Sequence, residues 1–369
     1  MSDQIYWLWL MGLQGIGIKK KQCLLRVFKD PESIFKSQRR VLREVLKDKD
    51  IDKIEAGKDL KPAMATASFC KKEKVRFLPQ CEAYYPEALK NIYLPPLGLF
   101  LKGNAELLRA PLSIAMVGSR KATIQGKVQA KHFAAGLASS GVTVVSGLAE
   151  GIDGACHAGA LPFPGSTIAV MGTGIDRCYP ASNRGLYLQI MEKGLIVTEF
   201  FPGEAAAPFH FPMRNRIISG ISDGLLVVEA KEKSGAMITV DHALEQGKNV
   251  YAIPGDIQIR QKEGSNRLLK EGAKLVTAPE DILEDYVDRF MFEPKKNENS
   301  LSKPESKDKI KLDADQESCL RMVSEGYDTF NDLALVTGLD IRRVNRAVSM
   351  LELNEMVRIE QGKIVPGNL

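Results

Sequence analysis

Between residues 113 and 276 the chain repeats one pattern: a short run of almost entirely apolar, β-branched residues, a glycine or small polar loop, then a stretch with helical period. The runs are Ser113–Val117, Val142–Val145, Thr167–Met171, Leu195–Thr198, Gly224–Glu229 and Asn249–Ile253, with a last short one at Lys274–Val276. A strand that alternates apolar and polar residues has one wet face. These runs leave no such face, so both sides of each strand must be covered, and spacings of roughly 20–30 residues give room for a crossover helix between parallel neighbours. The pattern predicts an α/β fold built on a doubly wound parallel sheet. Sheets of that kind bind ligands outside the carboxyl ends of their strands.

The flanks read differently. Residues 1–72 are helical in pattern and hold 16 Lys+Arg against 9 Asp+Glu, a net charge of +7. Within them Gly15-Ile16-Gly17 separates two helical stretches and precedes Lys19, Lys20 and Lys21. That arrangement resembles a helix-hairpin-helix element, in which glycines let the backbone approach a phosphate; a plain tight turn in a small helical bundle has the same sequence. Val75–Leu78 and Leu99–Gly103 read as two further strands leading into the core. Residues 291–311 lose hydrophobicity and form a linker. Residues 312–369 hold three helical stretches, then Met356–Ile359 and Gly362–Val365, the pattern of a winged helix, with 6 Lys+Arg against 10 Asp+Glu. The expected domains are therefore 1–72, 73–290 and 312–369, and the basic front and acidic tail point to different partners.

The apolar stretch Ile5–Leu13 is too short to span a membrane and lacks a basic leader and a cleavage site, so a cytoplasmic location without a membrane partner is expected. The 6 cysteines form no Cys-x-x-Cys pair and have no histidine at a zinc-like offset, so they read as reduced, mostly buried thiols and no metal is expected.

The unusual residues collect at strand ends. Gly118-Ser119-Arg120 follows the first run, Ser146-Gly147-Leu148-Ala149-Glu150-Gly151-Ile152-Asp153 the second, and Gly172-Thr173-Gly174 the third, with Tyr179-Pro180-Ala181-Ser182-Asn183 beyond it. Unobstructed glycine N–H groups, small hydroxyls, helix starts near Thr123 and Ile152, and an arginine make an anion site in type. A loop carrying Arg214, Asn215 and Arg216 is expected at the same mouth, and Ser234-Gly235 opens another helix. Guanidinium groups match phosphate oxygens in a fixed fork, although one of the two arginines has an alternative partner in Glu199 or Glu229. Phe209, His210 and Phe211 suit base stacking, yet aromatics more often bury in a core. The candidate phosphate-binding set is Gly118, Ser119, Arg120, Ser146, Gly147, Gly151, Asn183, Arg214, Asn215, Arg216, Ser234 and Gly235.

Absences narrow the chemistry. No Gly-x-Gly-x-x-Gly follows the first strand, which argues against a dinucleotide cofactor, and no Gly-x-x-x-x-Gly-Lys-Ser/Thr argues against a P-loop. The 4 histidines are scattered, and Asp153 with His157 one helical turn later is more consistent with local pairing or helix capping than with a metal or acid–base site. No catalytic constellation is expected, and no cofactor.

Several of these runs resemble the DprA/Smf family: Met116–Arg120, Ser146–Leu161, Tyr179-Pro180-x-x-Asn183, Phe211–Gly220, Ser234–Thr239, Pro254-Gly255 and Gly264–Ala273. Their order over nearly the whole chain is more specific than any one of them. Small departures are Cys156, Met237 and Asn354-Glu355. The resemblance implies an extended Rossmann-like core between an N-terminal helix-hairpin-helix or SAM-like domain and a C-terminal winged helix. It implies a homodimer that binds single-stranded DNA, protects it during natural transformation and loads the RecA recombinase, with phosphates over Gly118–Arg120 and Arg214–Arg216. Its dimer and recombinase surface falls by match near Ser265–Val276.

Two other readings stand beside it. A Rossmann-like enzyme that cleaves nucleoside monophosphates would need a Pro-Gly-Gly-x-Gly-Thr run, where this chain has Pro254-Gly255-Asp256. A regulator reading duplex DNA would use Arg342, Arg343 and Arg346 on a recognition helix, against the acidic balance of its own domain. Truncation at Lys311 tests the charge argument. Single-strand affinity is expected to stay within about tenfold, or ~1.4 kcal/mol, of the full chain in an oligonucleotide titration; a larger loss would place the tail in the main site.

Overall fold

The computed structural model describes residues 2–163, 167–287, 313–353, 356–360 and 363–366. It divides into two compact units, Met1–Pro294 and Lys295–Leu369. The linker expected at 291–311, and Asn354-Glu355, lie outside the described residues.

The first unit is built on a nine-stranded sheet: β1 (Arg76–Pro79), β2 (Gly98–Gly103), β3 (Ser113–Gly118), β4 (Thr143–Ser146), β5 (Thr167–Val170), β6 (Leu195–Thr198), β7 (Gly224–Glu229), β8 (Asn249–Ala252) and β9 (Lys274–Leu275). Their order is β1-β2-β6-β5-β4-β3-β7-β8-β9. The seven strands from β3 onward are mutually parallel, as their apolar composition predicted, and β2 and β1 extend the sheet antiparallel beyond β6. The chain works outward from β3 to β6, then returns to lay β7 on the other side of β3. That reversal is the topological switch point of an α/β, Rossmann-like sheet, where the loops after neighbouring strands diverge and leave a crevice.

Period-two alternation explains why each strand is apolar throughout. Ala115 and Val117 of β3, with Leu225 and Val227 of β7, enter one core; Ile114 and Met116, with Leu226 and Val228, enter the opposite one. The N-terminal helices, beginning with Ser2–Gly12 and Ile18–Phe28, share a third core with the sheet. Trp7, Leu10, Leu13, Ile16 and Leu24 pack in one cluster with Phe100 of β2, Ala169 of β5 and Ile196 of β6. Each such buried side chain contributes roughly 1.5–3 kcal/mol. Lys21 is a correction to the surface-charge reading: it is buried, its Nζ donates to the Met11 carbonyl at 2.7 Å, and burial lowers its pKa to about 8. Lys20 is also spoken for, at 2.7 Å from Asp50. The cysteines are all free, but Cys23 and Cys81 are exposed rather than buried.

The second unit holds helices Ala314–Ser324, Phe330–Thr337 and Ile341–Leu353, and an antiparallel pair, Val357–Glu360 with Lys363–Pro366. Their apolar faces close one core around Val323, Leu333, Val348, Leu351 and Ile364. The first helix starts on a capping box in which Asp313 and Gln316 satisfy each other's N–H groups. Arg343 is paired with Asp315 at 2.6 Å.

One buried carboxylate joins the two sides of the switch point. Glu229, at the end of β7, accepts from the Thr123 N–H at 3.0 Å and from the Thr123 hydroxyl at 2.6 Å, and its own carbonyl accepts from Ser119 N–H. Thr123 in turn caps helix Ile124–Ser139. Glu229→Ala strands two donors and loosens that cap, so it is expected to destabilise the first unit by about 2 kcal/mol, read as a lower denaturant midpoint with unchanged slope. An unchanged midpoint would show the junction is held elsewhere.

Candidate functional site

Outside the carboxyl ends of β3, β4 and β7 lies a cleft of about 580 Å³. It is continuous in its lining with a smaller cavity of about 160 Å³, the two sharing Arg120, Ala149, Tyr179, Phe211 and Arg214. The loops after β3, β4, β5 and β7 and two helices, His210–Ile221 and Gly235–Glu245, build the site.

The loop after β4 is the tightest. Leu148 sits at φ 55° and Gly151 at φ 81°. A Cβ on Gly151 would stand 2.2 Å from the Ser119 carbonyl, so only glycine lets the β4 loop close on the β3 loop. The unusual Leu148 backbone is over-determined by neighbours. Its side chain is fully buried, its N–H donates to His157 Nε2 at 3.3 Å, and its carbonyl accepts from Asn183 Nδ2 at 3.0 Å. His157 completes a chain on its other side: Nδ1 lies 2.7 Å from Thr167 Oγ1, which donates to the Val144 carbonyl. Burial, with Arg214 adding to it, lowers the His157 pKa to about 3, so the imidazole is neutral with its proton on Nδ1. The pairing of Asp153 and His157 considered from their spacing is not formed; Asp153 faces the Ala149 N–H at 3.4 Å.

The Phe209–Arg216 stretch is not a loop. His210–Ile221 is a helix, pinned at its start by His210, whose ring stacks on Phe200 at 4.0 Å and reaches the Gly172 carbonyl and Glu204. This separates the two arginines. Arg216 is turned inward and ion-paired to buried Glu199, so its expected phosphate contact is not supported. Arg214, 3% exposed, points the other way and lines both cavities. Its guanidinium lies over Gly147, where a Cβ would fall 1.4 Å from Nη1. Its Nε has no hydrogen-bond partner, and no acceptor takes its other N–H groups among the described residues. Burial lowers its pKa to about 10, opposed by the Asp153 carboxylate and reinforced by Arg120; it stays charged at neutral pH. Asp153, also buried, is raised by the same desolvation and lowered in part by Arg214.

Of the residues expected from sequence, Gly118, Ser119, Arg120, Arg214, Asn215, Ser234 and Gly235 line the larger cleft, and Gly147 lines the smaller one. Asn215 donates to the Gly235 carbonyl at 3.2 Å, which ties the arginine helix to the start of helix Gly235–Glu245. The Ser234 hydroxyl is buried without a partner, and nothing lies within 4 Å of a Cβ built on Gly235. Three candidates instead serve as supports. Ser146 is fully buried and bonded to the Met116 carbonyl, Gly151 closes the loop junction, and Asn183 holds the Leu148 and Ala149 carbonyls. The aromatics also depart from the expected core packing: Phe209 is 64% exposed, and Phe211 lies in the cleft with Tyr179 at 5.4 Å on one side and the Arg120 guanidinium at 5.0 Å. Tyr179, from the Tyr179-Pro180-x-x-Asn183 run, also lines the cleft, and so do Lys121 and Lys231, which belong to no motif read from the sequence. The two lysines follow β3 and β7, so the strand-end rule points to them.

Cationic groups and a helix start without a side-chain cap, gathered at the switch point of a Rossmann-like sheet, make this cleft the candidate anion site. Comparison with known proteins gives the particular family. The family model for DNA recombination-mediator protein A matches residues 76–287, and this chain belongs to that family. The DNA processing protein DprA of Streptococcus pneumoniae is 46% identical over 202 residues, covering 55% of this chain and 71% of that protein. The X-ray structure of DprA from Streptococcus pneumoniae matches with a TM-score of 0.63 at 36% identity, covering 76% of this chain and 97% of that one. A structure describing the single-stranded DNA binding mode of DNA processing protein A from Helicobacter pylori matches with a TM-score of 0.53 at 28% identity, over 59% and 97% of the two chains. Among the described residues no helix is long and apolar enough to cross a membrane, and no cluster of metal-ligating side chains occurs.

The neutral His157 makes stability depend on acid. Its folded pKa lies below the unfolded value of 6.5, so the stabilisation is complete above pH 6.5 and is lost as pH falls toward 3. Loss of up to roughly 1.4 kcal/mol per pH unit is expected across that window. The stability–pH curve of His157→Gln should be flatter there than that of the wild type; superimposable curves would show that other groups carry the transition.

Proposed function

We propose that this protein binds single-stranded DNA and acts as a recombination mediator during natural transformation, protecting the incoming strand and delivering it to RecA. The observation that carries the reading is Arg214: a charged guanidinium, buried in the protein, without a hydrogen-bond acceptor among the described residues and lining both cavities. An unpaired buried charge costs several kcal/mol, and a phosphate placed in the cleft would offset that cost. Arg120, Lys121, Lys231 and the open amide end of helix Gly235–Glu245 supply further positive potential, and Tyr179 and Phe211 offer faces to bases. The relatives' names and the single-stranded DNA described for the Helicobacter pylori protein support the same reading.

In this reading the protein is not an enzyme. The cleft groups are cations, hydroxyls, one side-chain amide and one buried carboxylate, while the nearby imidazole is neutral, held on both nitrogens and not part of the lining, so no hydroxyl there has a histidine base. Incubation with nucleoside monophosphates is expected to release no free base. We read the C-terminal three helices and two-stranded sheet as a winged helix that contacts a protein, or a duplex weakly, and the N-terminal helices around Gly15–Gly17 as a helix-hairpin-helix or SAM-like module. The working unit is a homodimer in the cytoplasm.

Arg214→Met keeps the volume and removes the charge. Single-strand affinity is expected to fall at least about tenfold, the log–log salt slope to shrink by ~0.7 for each phosphate that is no longer neutralised, and the melting temperature to hold or rise. Unchanged affinity would overturn the reading, and weakened binding with a sharply lower melting temperature would reduce Arg214 to a structural role. Arg120→Ala should weaken binding with normal melting.

A further inference from the structure

Helix Ile124–Ser139 starts at the rim of the cleft, three residues beyond cleft-lining Lys121, and is pinned there through Thr123 and Glu229. Its outward face is unusual for a solvated surface. Ile124 is 84% exposed and Val128 61% exposed. Lys127 and Lys131 are exposed beside them, and the helix contains no acidic residue. Positions 124, 127, 128 and 131 share one side of a helix. Lys121, Lys127 and Lys131 make no ion pair among the described residues, in contrast to Arg39, Arg267 and Lys274 elsewhere on the surface. The loop beyond β8 runs alongside: buried Lys262 donates to Gln129 at 2.9 Å, and Ile257 of that loop is 87% exposed. Its local acid, Asp256, is turned back onto the Gln258 N–H.

Apolar side chains interleaved with unpaired lysines, continuous with an anion-binding cleft, fit a flexible polyanion that also presents apolar ring faces. The geometry points to a second contact surface for the single strand: as it leaves the cleft it runs along Lys121, Ile124, Lys127, Val128 and Lys131, with bases against the two apolar side chains and phosphates toward the lysines. This rests on the reading of the cleft as the phosphate site. Residues 124 to 131 span about 10 Å of helix, room for roughly three nucleotides at a stacked spacing of about 3.4 Å. Acidic residues would repel such a strand, and a folded protein partner would more commonly leave a surface depleted of lysine.

Strand length separates the two surfaces. Full-length wild type, Lys127→Glu/Lys131→Glu and Ile124→Ser/Val128→Ser are titrated with oligothymidylates of roughly six and roughly twenty nucleotides across a salt series. Every substitution is at an exposed position, so folding is expected to be normal and is checked by melting. For the short strand, which the cleft alone holds, both variants should stay within about twofold of wild type; for the long strand each should bind at least about fivefold more weakly, with a shallower salt slope for the lysine variant. Unchanged long-strand affinity in both variants, with wild-type short-strand binding intact, overturns this proposal alone. Wild type that binds neither strand overturns the cleft reading and this one with it. A change in self-association of Ile124→Ser/Val128→Ser with unaltered strand affinity would assign the face to a second copy and also overturns it.

Discussion

A charged guanidinium that the fold keeps in low dielectric without an acceptor is costly, and the architecture around Arg214 shows what that cost requires. Helix His210–Ile221 must be rigid enough to hold the side chain inward, which His210 achieves by stacking on Phe200 and bonding the Gly172 carbonyl. The β4 loop must leave space for it, which Gly147 provides by having no Cβ. Asp153 stands close enough to moderate the charge while facing the Ala149 N–H rather than neutralising Arg214 in a direct ion pair. The positive field at the cleft is therefore built into the fold, and in the proposed reading a phosphate would meet donors that need little reorganisation.

The same loops are held by groups that never face the cleft. His157, Asn183, Thr167 and Ser146 bond to backbone atoms of the loop or its neighbouring strands, and Gly151 allows the β3 and β4 loops to meet. A strained Leu148 persists because these neighbours fix both its N–H and its carbonyl. Support and contact are divided between residues that lie side by side in sequence, which is why a motif read as a unit overstates the number of groups that can reach a ligand.

Arg214 and Arg216 show this division most clearly. Two residues apart in a helix, they point about 200° apart around the axis, so one must face the core if the other faces the cleft. In a loop both would reach the same ligand. The inward one needs a buried carboxylate, and Glu199 supplies it. Phe209 shows the converse: an aromatic expected in the core is left outside because the helix begins one residue later and directs His210 inward instead.

Runs that are apolar throughout, and the glycine and small polar residues that follow them, determined the parallel sheet and the edge that carries the candidate site, because burial on both faces is a local consequence of composition. Sequence alone also placed Gly118, Ser119, Arg120, Ser234 and Gly235 at that edge through the order of strands and helix starts. Tertiary structure decided what local pattern does not encode. The return of β7 beside β3 brought Lys121 and Lys231 to one crevice, helical phase sent Arg214 and Arg216 in opposite directions, and long-range hydrogen bonds turned Ser146, Asn183 and His157 into supports. Direction around a helix axis and partnership across a sheet depend on which elements pack together, and that is settled only when the cores on both faces close.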